Sequence, residues 1–136
     1  MTVHPDGFTI EPEPERNTLT MRVQQVLLNT PEALDAVMPP VLAGFEAMGW
    51  QPCYLLLDIT GLRITPRVRT YLAAQGQTTA DLIRVLVAFS AHPDSVTELL
   101  LRIGAAYANI PYAFYPTEAA ARADIARRAN EVVSGQ

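Results

Sequence analysis

The sequence predicts an α/β fold: a mixed, mostly parallel five-stranded sheet with an N-terminal antiparallel hairpin and about four helices. Two continuous apolar runs, at residues 52–59 and 82–89, are typical of central strands that helices cover on both faces. Segments with helical periodicity separate the strand-like segments, which favours right-handed crossovers between parallel strands. The predicted order is two strands, then helix and strand in alternation, ending on a helix.

The first two strands form the predicted hairpin. Residues 7–10 are short and β-prone, and residues 11–16 alternate proline with acid, which favours an extended turn. Over residues 18–24 apolar and polar side chains alternate, and this pattern is typical of a strand with one buried face. The hairpin therefore supplies an antiparallel edge to the sheet.

The first helix begins at Thr30 and Pro31, an N-cap residue followed by proline at the first helical position. Apolar residues then recur at helical spacing as far as Gly49. Pro39 and Pro40 lie inside this run and remove two backbone donors. We therefore expect either a kink or a break into two short helices.

The other helices also begin at recognisable caps. The second helix follows Thr65 and Pro66 and is expected to end at Gly76. The third begins at a capping box at residues 95–98, and the last is capped by Thr117 after a short strand. The expected inward face of the third helix carries apolar residues at helical spacing: Val96, Leu99, Leu100, Ile103 and Tyr107.

Composition excludes several classes of protein. The 136 residues suit one domain, with fraying expected at residues 1–6 and 134–136. The chain is 49% apolar and 18% charged, which excludes global disorder. Ten basic residues, all arginine, and 14 acidic ones give a net charge of −4, so neither nucleic acid nor an anionic membrane is an expected partner. The apolar runs are too short for a membrane span, which needs about 20 residues.

The sequence contains no recognisable metal, cofactor or nucleophile motif. Cys53 is the single cysteine, so it forms no intramolecular disulfide and no multi-cysteine zinc site. No HExxH, CxxC, GxSxG, GxGxxG or P-loop pattern occurs. The N-terminus lacks the pattern of a signal peptide, and we expect a reducing, cytoplasmic setting with no metal or cofactor.

The candidate binding site is the edge of the sheet where the carboxyl ends of the strands meet helix N-termini, because ligands of open parallel sheets bind there. We call this edge the rim. The alternative is that its polar side chains only stabilise turns and caps, as in any such sheet. Six residues form the candidate set: Asp58, Arg63, Thr65, Arg67, Arg69 and His92.

Three arginines make this rim unusual. The other predicted helices carry an acid in the first turn, whereas the second opens with Arg67 and Arg69. An exposed positive charge at a helix N-terminus costs roughly 0.3–1 kcal/mol, and such exceptions are often functional. Together with Arg63, these residues could bind an anion or an acidic partner surface through bidentate contacts. The alternative is simple surface pairing with Asp58 or Asp81.

Catalysis is the least favoured function. Ser90 and His92 lie two residues apart after the second buried strand. An enzyme would need the imidazole within hydrogen-bonding reach of the Ser90 hydroxyl or of a carboxylate in a cleft. A histidine in such a turn is more often a hydrogen-bonding turn residue, so we predict no catalytic residue.

The segment LLLDITGLRIT is an apolar strand ending in Asp58, followed by a Thr-Gly turn and a helix. A second apolar strand, a Pro-x-x-Phe strand beginning at Pro111 and an alanine-rich last helix follow it. This combination resembles the STAS superfamily of anti-sigma-factor antagonists, and more closely its SpoIIAA-like group of small stand-alone bacterial proteins. The likeness covers residues 52–128, while the helix at 31–49 agrees in position only. It implies a STAS-like fold and a bacterial, regulatory role.

The sequence departs from those antagonists at their phosphorylation motif. They carry Asp-Ser-Ser-Gly at the start of the helix, and its serine is phosphorylated. An ungapped count from Asp58 places residues 66–69, Pro-Arg-Val-Arg, at that position, and the nearest hydroxyl is that of Thr65, one residue early. Partner switching through that serine is therefore not expected here.

Two functions follow from these observations. The first is a non-enzymatic interaction module of bacterial regulation or signalling, which binds an acidic partner surface or an anion at the rim and can form a homodimer. The alternative is a carrier or sensor of a small hydrophobic ligand, since members of the SpoIIAA-like group are compared with lipid-carrying Sec14 domains. That alternative requires an apolar cavity of at least a few hundred Å³.

Overall fold

The computed structural model describes residues 2–3 and 7–134, and the side chains of residues 7–131. The described strands are β1 (Thr2–Val3), β2 (Phe8–Glu13), β3 (Thr18–Val23), β4 (Val26–Leu28), β5 (Cys53–Asp58), β6 (Leu62–Ile64), β7 (Ile83–Phe89) and β8 (Tyr112–Tyr115). The described helices are α1 (Pro31–Ala47), α2 (Arg69–Thr79), α3 (Ser95–Tyr107) and α4 (Glu118–Ser134). Of the termini expected to fray, residues 1, 4–6 and 135–136 lie outside the described residues.

Six strands form one mixed sheet in the order β1-β2-β3-β5-β7-β8. β2 pairs antiparallel with β1 and β3, and the pairs β3–β5, β5–β7 and β7–β8 are parallel. The predicted mixed, mostly parallel sheet with its N-terminal hairpin is therefore confirmed. The five predicted strands are all present, and the two-residue β1 extends the sheet at its edge.

Helices cover the sheet unequally. The main core contains Leu55 and Leu57 of β5 together with residues of α1, α3 and the N-terminal hairpin. Leu56 of β5 faces the other side, where it packs with Ala121 and Ile125 of α4. Successive side chains of a strand point to opposite faces, which explains why this central strand is apolar throughout.

A second, two-stranded sheet lies beside the rim and has no counterpart in the sequence prediction. β4 and β6 pair in parallel, with Leu27 beside Arg63 and Leu28 beside Ile64. Each strand has only three residues and a partner distant in sequence, so neither gives a recognisable pattern. This small sheet carries Arg63 and leads directly into Thr65.

Helix α1 is continuous over Pro31–Ala47, so of the two alternatives expected at Pro39 and Pro40, a kink or a break, the break does not occur. The two prolines leave the carbonyls of Asp35 and Ala36 without their helical donors. Both of those residues are exposed, and water can therefore satisfy these carbonyls. The expected cap is confirmed, because Thr30 Oγ1 accepts a hydrogen bond from the Ala33 backbone N at 3.1 Å.

Helix α2 differs from its prediction at both ends. A 3₁₀ turn (Pro66–Val68) precedes it, and the side chain of Thr65 forms no capping hydrogen bond. The helix does not end at Gly76 but continues to Thr79. Gly76 faces Ala108, where α2 packs beside α3, and it does not adopt the positive φ of a C-cap glycine.

The expected inward face of α3 is wrong for four of its five residues. Leu100 is buried, whereas Val96, Leu99, Ile103 and Tyr107 are exposed. The buried side is formed by Thr97, Leu100, Leu101 and Ala105. The cap also lies one residue earlier than expected, because Asp94 accepts a hydrogen bond from the Thr97 backbone N at 3.1 Å.

Candidate functional site

Asp58 ends β5 and stabilises the turn that follows it. Its Oδ1 accepts hydrogen bonds from Thr60 backbone N at 3.0 Å and from Thr60 Oγ1 at 2.7 Å. Thr60 Oγ1 lies 3.2 Å from Ser90 Oγ, and because its single proton goes to Asp58, Ser90 is the donor. Ser90 Oγ accepts in turn from His92 backbone N at 3.2 Å. These contacts join the carboxyl ends of β5 and β7.

Arg63 is exposed on β6, and a buried hydroxyl fixes the strand beneath it. Backbone N of Ile64 donates to Thr97 Oγ1 at 2.8 Å, and that hydroxyl donates to Asp94 Oδ2, also at 2.8 Å. The Thr97 hydroxyl, then the Thr97 backbone N–H, hold the pKa of Asp94 below its usual range, and Arg63 contributes a weaker electrostatic effect in the same direction. The carboxylate that caps α3 thus also anchors β6.

Thr65 connects β6 to the 3₁₀ turn. Its backbone N donates to Leu28 O at 3.2 Å, and its carbonyl accepts from Val68 N at 3.2 Å. Its Oγ1 is buried and has no hydrogen-bond partner in the described part of the chain. This hydroxyl is therefore a structural exception, because buried hydroxyls are normally hydrogen bonded.

Arg67 lies in the 3₁₀ turn that precedes α2, Arg69 is the first residue of α2, and both are exposed. The first turn of α2 contains no acidic residue, and its N-cap residue, Val68, offers no side-chain acceptor. The N-terminal backbone N–H groups carry a partial positive charge, to which the two guanidinium groups add. This end of α2 therefore favours an anionic group.

The arginines divide into two groups by their ion pairs. Six of the ten pair with a described carboxylate: Arg16, Arg22, Arg102, Arg122, Arg127 and Arg128. Among described residues, the other four form no ion pair: Arg63, Arg67, Arg69 and Arg84. Three of these belong to the candidate set, whereas Arg84 lies near the start of β7, at the opposite end of the strands. The alternative pairing with Asp58 or Asp81 does not occur within the described residues.

His92 is exposed after β7, and its contact with Ser90 comes from the backbone. No hydrogen bond joins its imidazole to Ser90 or to a carboxylate within residues 7–131. A serine–histidine nucleophilic pair needs a direct hydrogen bond between hydroxyl and ring. Its geometry is therefore not present in the described part of the chain.

Two cavities bear on the choice between a surface site and an internal pocket. An open groove of about 970 Å³ lies between α1 and the small sheet, and Asp58 and Thr60 line it at the rim. The apolar cavity inside the main core has a volume of about 160 Å³. Pockets for small-molecule ligands are typically about 300–1,000 Å³, so this interior cavity gives the hydrophobic-carrier alternative little support.

The candidate residues do not share one pocket. Asp58 lines the groove beside α1, whereas Arg69 lines a separate groove of about 340 Å³ between α2 and α3. The outward apolar face of α3 borders this second groove and was not expected from the sequence. The available signal was that the apolar residues of α3 cover more of its circumference than one buried face needs, leaving only the narrow polar strip of Ser95, Glu98 and Arg102.

An α/β domain with three helices on one sheet face, one on the other and a polar rim has the architecture of a SpoIIAA-like fold. The chain matches a crystal structure described as an uncharacterized protein of the DUF3478 family with a SpoIIAA-like fold, from Shewanella loihica. The TM-score is 0.57 at 15% sequence identity, covering 92% of this chain and 98% of that chain. No model of a known protein family matches the chain, and no curated protein matches it. The expected fold is confirmed.

The structure also bears on membranes and metals. Within residues 2–3 and 7–134, no helix has the length and apolar character needed to cross a membrane. No group of three or more histidine, cysteine, aspartate or glutamate residues is positioned to hold a metal ion in that part of the chain. The buried Cys53 thiol has its pKa raised to about 11 by desolvation, which makes it a poor nucleophile.

Proposed function

We propose that this protein is a non-enzymatic interaction module of bacterial regulation or signalling, which binds an acidic partner surface or an anion at the rim. One observation carries the proposal. Arg63, Arg67 and Arg69 are exposed and form no ion pair with any described residue, although the chain is acidic overall and pairs six other arginines. A guanidinium presents a planar set of donors that matches carboxylate or phosphate oxygens.

The position of these arginines strengthens the proposal. Two of them adjoin the N-terminus of α2, where the helix dipole disfavours positive charge. A bound anion would offset both the dipole and the two guanidinium charges. Asp58 and Thr65 then serve to position the loops: Asp58 through its bonds to Thr60, Thr65 through its backbone bonds to Leu28 and Val68. His92 stands exposed on the neighbouring loop as a further contact residue.

Charge reversal at the start of α2 tests this function. The double variant Arg67→Glu, Arg69→Glu is compared with Arg84→Glu, a matched control that reverses an exposed, unpaired arginine at the other end of β7. The immobilised proteins are exposed to a lysate of the source bacterium, and retained proteins are quantified by mass spectrometry. We expect an acidic partner to be retained by the wild type and the control but lost by the double variant. Equal retention by all three would contradict the proposal.

Native mass spectrometry separates this function from the hydrophobic-carrier alternative. A protein purified without detergent is expected to show no bound lipid, because the interior cavity of about 160 Å³ is too small for one. A stoichiometric lipid in the spectrum would favour the carrier. The same spectrum reports whether the chain self-associates, which is the simplest form of partner binding.

A further inference from the structure

The outward face of α3 carries a continuous apolar stripe. Val96, Leu99, Ile103 and Tyr107 are separated by three, four and four residues, so they lie along one side of the helix. Their exposed fractions are 41%, 44%, 55% and 64%. Single exposed apolar residues are ordinary, but a row of four large ones on one helix marks an interaction surface more often than a solvated one.

Two members of the stripe, Ile103 and Tyr107, line the groove between α2 and α3, and Val96 and Leu99 extend the stripe along α3 outside the groove. Gly104 faces Leu72 and Gly76 faces Ala108, so the two helices run side by side in the same direction. Small side chains, including Ala73 and Ala74, line the groove together with Ile103, Gly104 and Tyr107. Small residues allow another helix to approach closely, and larger apolar side chains at the border supply contact area.

The unpaired charge along this groove is positive. α2 contains no acidic residue, and Arg69 lines the groove at the N-terminal end of α2. The one acidic residue of α3, Glu98, is already bound by Arg102 Nη2 at 2.7 Å and by the Tyr112 hydroxyl at 2.9 Å. A partner that lies in this groove therefore contacts Arg69, a cation without a counter-charge, at the N-terminal end of α2.

We infer that the α2–α3 groove binds an amphipathic, acidic helix of a partner protein. The apolar face of that helix covers Ile103 and Tyr107, and an acidic residue at one end pairs with Arg69. Helices that dock in apolar grooves carry their own apolar anchors at i, i+3, i+4 and i+7, so the partner helix is expected to show this pattern. This inference rests on the proposed function, because it specifies which kind of acidic partner the unpaired arginines bind.

Synthetic peptides test the inference without knowledge of the partner. The probe is a helical peptide of about five turns, with leucine along one face and glutamate on the flanks. One comparison peptide has the same composition in scrambled order, and another has lysine in place of glutamate. Binding is measured by fluorescence anisotropy and mapped by amide chemical shifts. We expect the acidic amphipathic peptide to bind about tenfold tighter than either comparison peptide, with shifts at Ala73, Ala74 and Gly104.

Variants of the protein locate the site. We expect Ile103→Ser and Arg69→Gln each to weaken binding of the acidic amphipathic peptide about fivefold or more. Both residues are exposed, so neither change should prevent folding. The matched controls are Leu42→Ser, an exposed leucine on α1, and Arg84→Gln, an exposed unpaired arginine. Neither control should change binding.

The outcomes separate this inference from the function on which it rests. Equal binding of the scrambled peptide, or no effect of Ile103→Ser, would overturn the inference that the groove binds a helix. Neither result would contradict the proposal that an acidic partner binds at the rim. Absence of binding by any peptide at millimolar concentration would also overturn the groove. A wild-type dimer in sedimentation experiments that Ile103→Ser dissociates would show that a second copy covers the stripe, and this too would overturn the inference. The proposed function would fail in a different experiment: the double variant Arg67→Glu, Arg69→Glu would capture the same proteins from the lysate as the wild type.

Discussion

Replacing Thr97 with valine removes one hydroxyl from the buried junction between β6 and α3. Thr97 is fully buried; its Oγ1 accepts from Ile64 backbone N at 2.8 Å and donates to Asp94 Oδ2 at 2.8 Å. Valine has nearly the same shape, so the packing is retained. The Ile64 N–H, however, is left without an acceptor in a place that water does not reach.

The size of the effect follows from that orphaned N–H. A buried donor without a partner costs about 1–3 kcal/mol. Asp94 is partly exposed and keeps the Thr97 backbone N–H at 3.1 Å, so we assign the loss to Ile64. We expect Thr97→Val to lower the free energy of unfolding by about 2 kcal/mol, which for a chain of this length lowers Tm by roughly 6 °C. Thr97→Ser keeps the hydroxyl and should cost about 1 kcal/mol or less.

Urea unfolding at pH 7, followed by far-UV circular dichroism, compares the two variants with the wild type. Native-state hydrogen exchange adds a local readout, because the Ile64 amide should exchange faster in Thr97→Val and not in Thr97→Ser. An unfolding free energy of Thr97→Val within about 0.5 kcal/mol of the wild type would refute the reasoning. So would a serine variant less stable than the valine variant.

Three further predictions concern charge, backbone space and thiol reactivity. The hydrogen bond from Arg22 lowers the pKa of Glu118 from 4.5 to about 2; the stabilisation is therefore full above pH 4.5 and is lost as the pH falls towards 2. Glu118→Gln should lower the free energy of unfolding by about 1 kcal/mol at pH 7, after allowance for solvent screening. It should also flatten the acid limb of the plot of this free energy against pH, because the variant has no carboxylate to protonate at that position. Gly61→Ala should destabilise by about 3 kcal/mol, because a Cβ would lie 2.5 Å from the Gln25 backbone N. Cys53 should resist Ellman's reagent at pH 8 until urea unfolds the protein, because it is buried and its pKa is about 11.

Matched controls test the predictions for Glu118 and Gly61. Glu131→Gln removes an exposed pair with Arg127 and should leave the acid limb unchanged; equal flattening would contradict the role of Glu118. Gly49→Ala meets no atom within 4 Å and carries only the strain of φ +75°, so it should cost about 1 kcal/mol. Equal costs at both glycines would refute the steric argument. Rapid reaction of native Cys53 would show that its burial is not maintained in solution.

The central architecture is predictable because its signals are local. The apolar runs that became β5 and β7 are continuous, and strands covered on both faces need such a composition. The caps at Thr30 and Thr117 act on residues three positions away, Ala33 and Ala120, so the sequence itself contains both partners. In these elements local preference and global fold agree.

The errors arise where the partner of a residue is distant in sequence. Thr97 is buried because its hydroxyl satisfies the Ile64 N–H, which lies 33 positions earlier. That contact turns the side of α3 with Thr97, Leu101 and Ala105 inwards, and not the predicted face. β4 and β6 pair across a similar separation, with three residues each. α1 stays intact because Pro39 and Pro40 leave unpaired carbonyls on a face that happens to be solvated. Each outcome depends on tertiary contacts that periodicity does not encode.

The two sides of the sheet differ in whether an unpaired charge lies beside exposed apolar side chains. On the side of α4, Arg22 and Arg122 connect the hairpin to the helix, and both bind Glu118. On the side of α2 and α3, the exposed Arg69 has no ion pair within the described residues, and it lines the same groove as the exposed side chains of Ile103 and Tyr107. Charge and apolar area are thus left uncompensated on the same surface, although the chain pairs most of its other arginines. Because a single partner helix can satisfy both, we expect the α2–α3 side to be the one on which this protein binds.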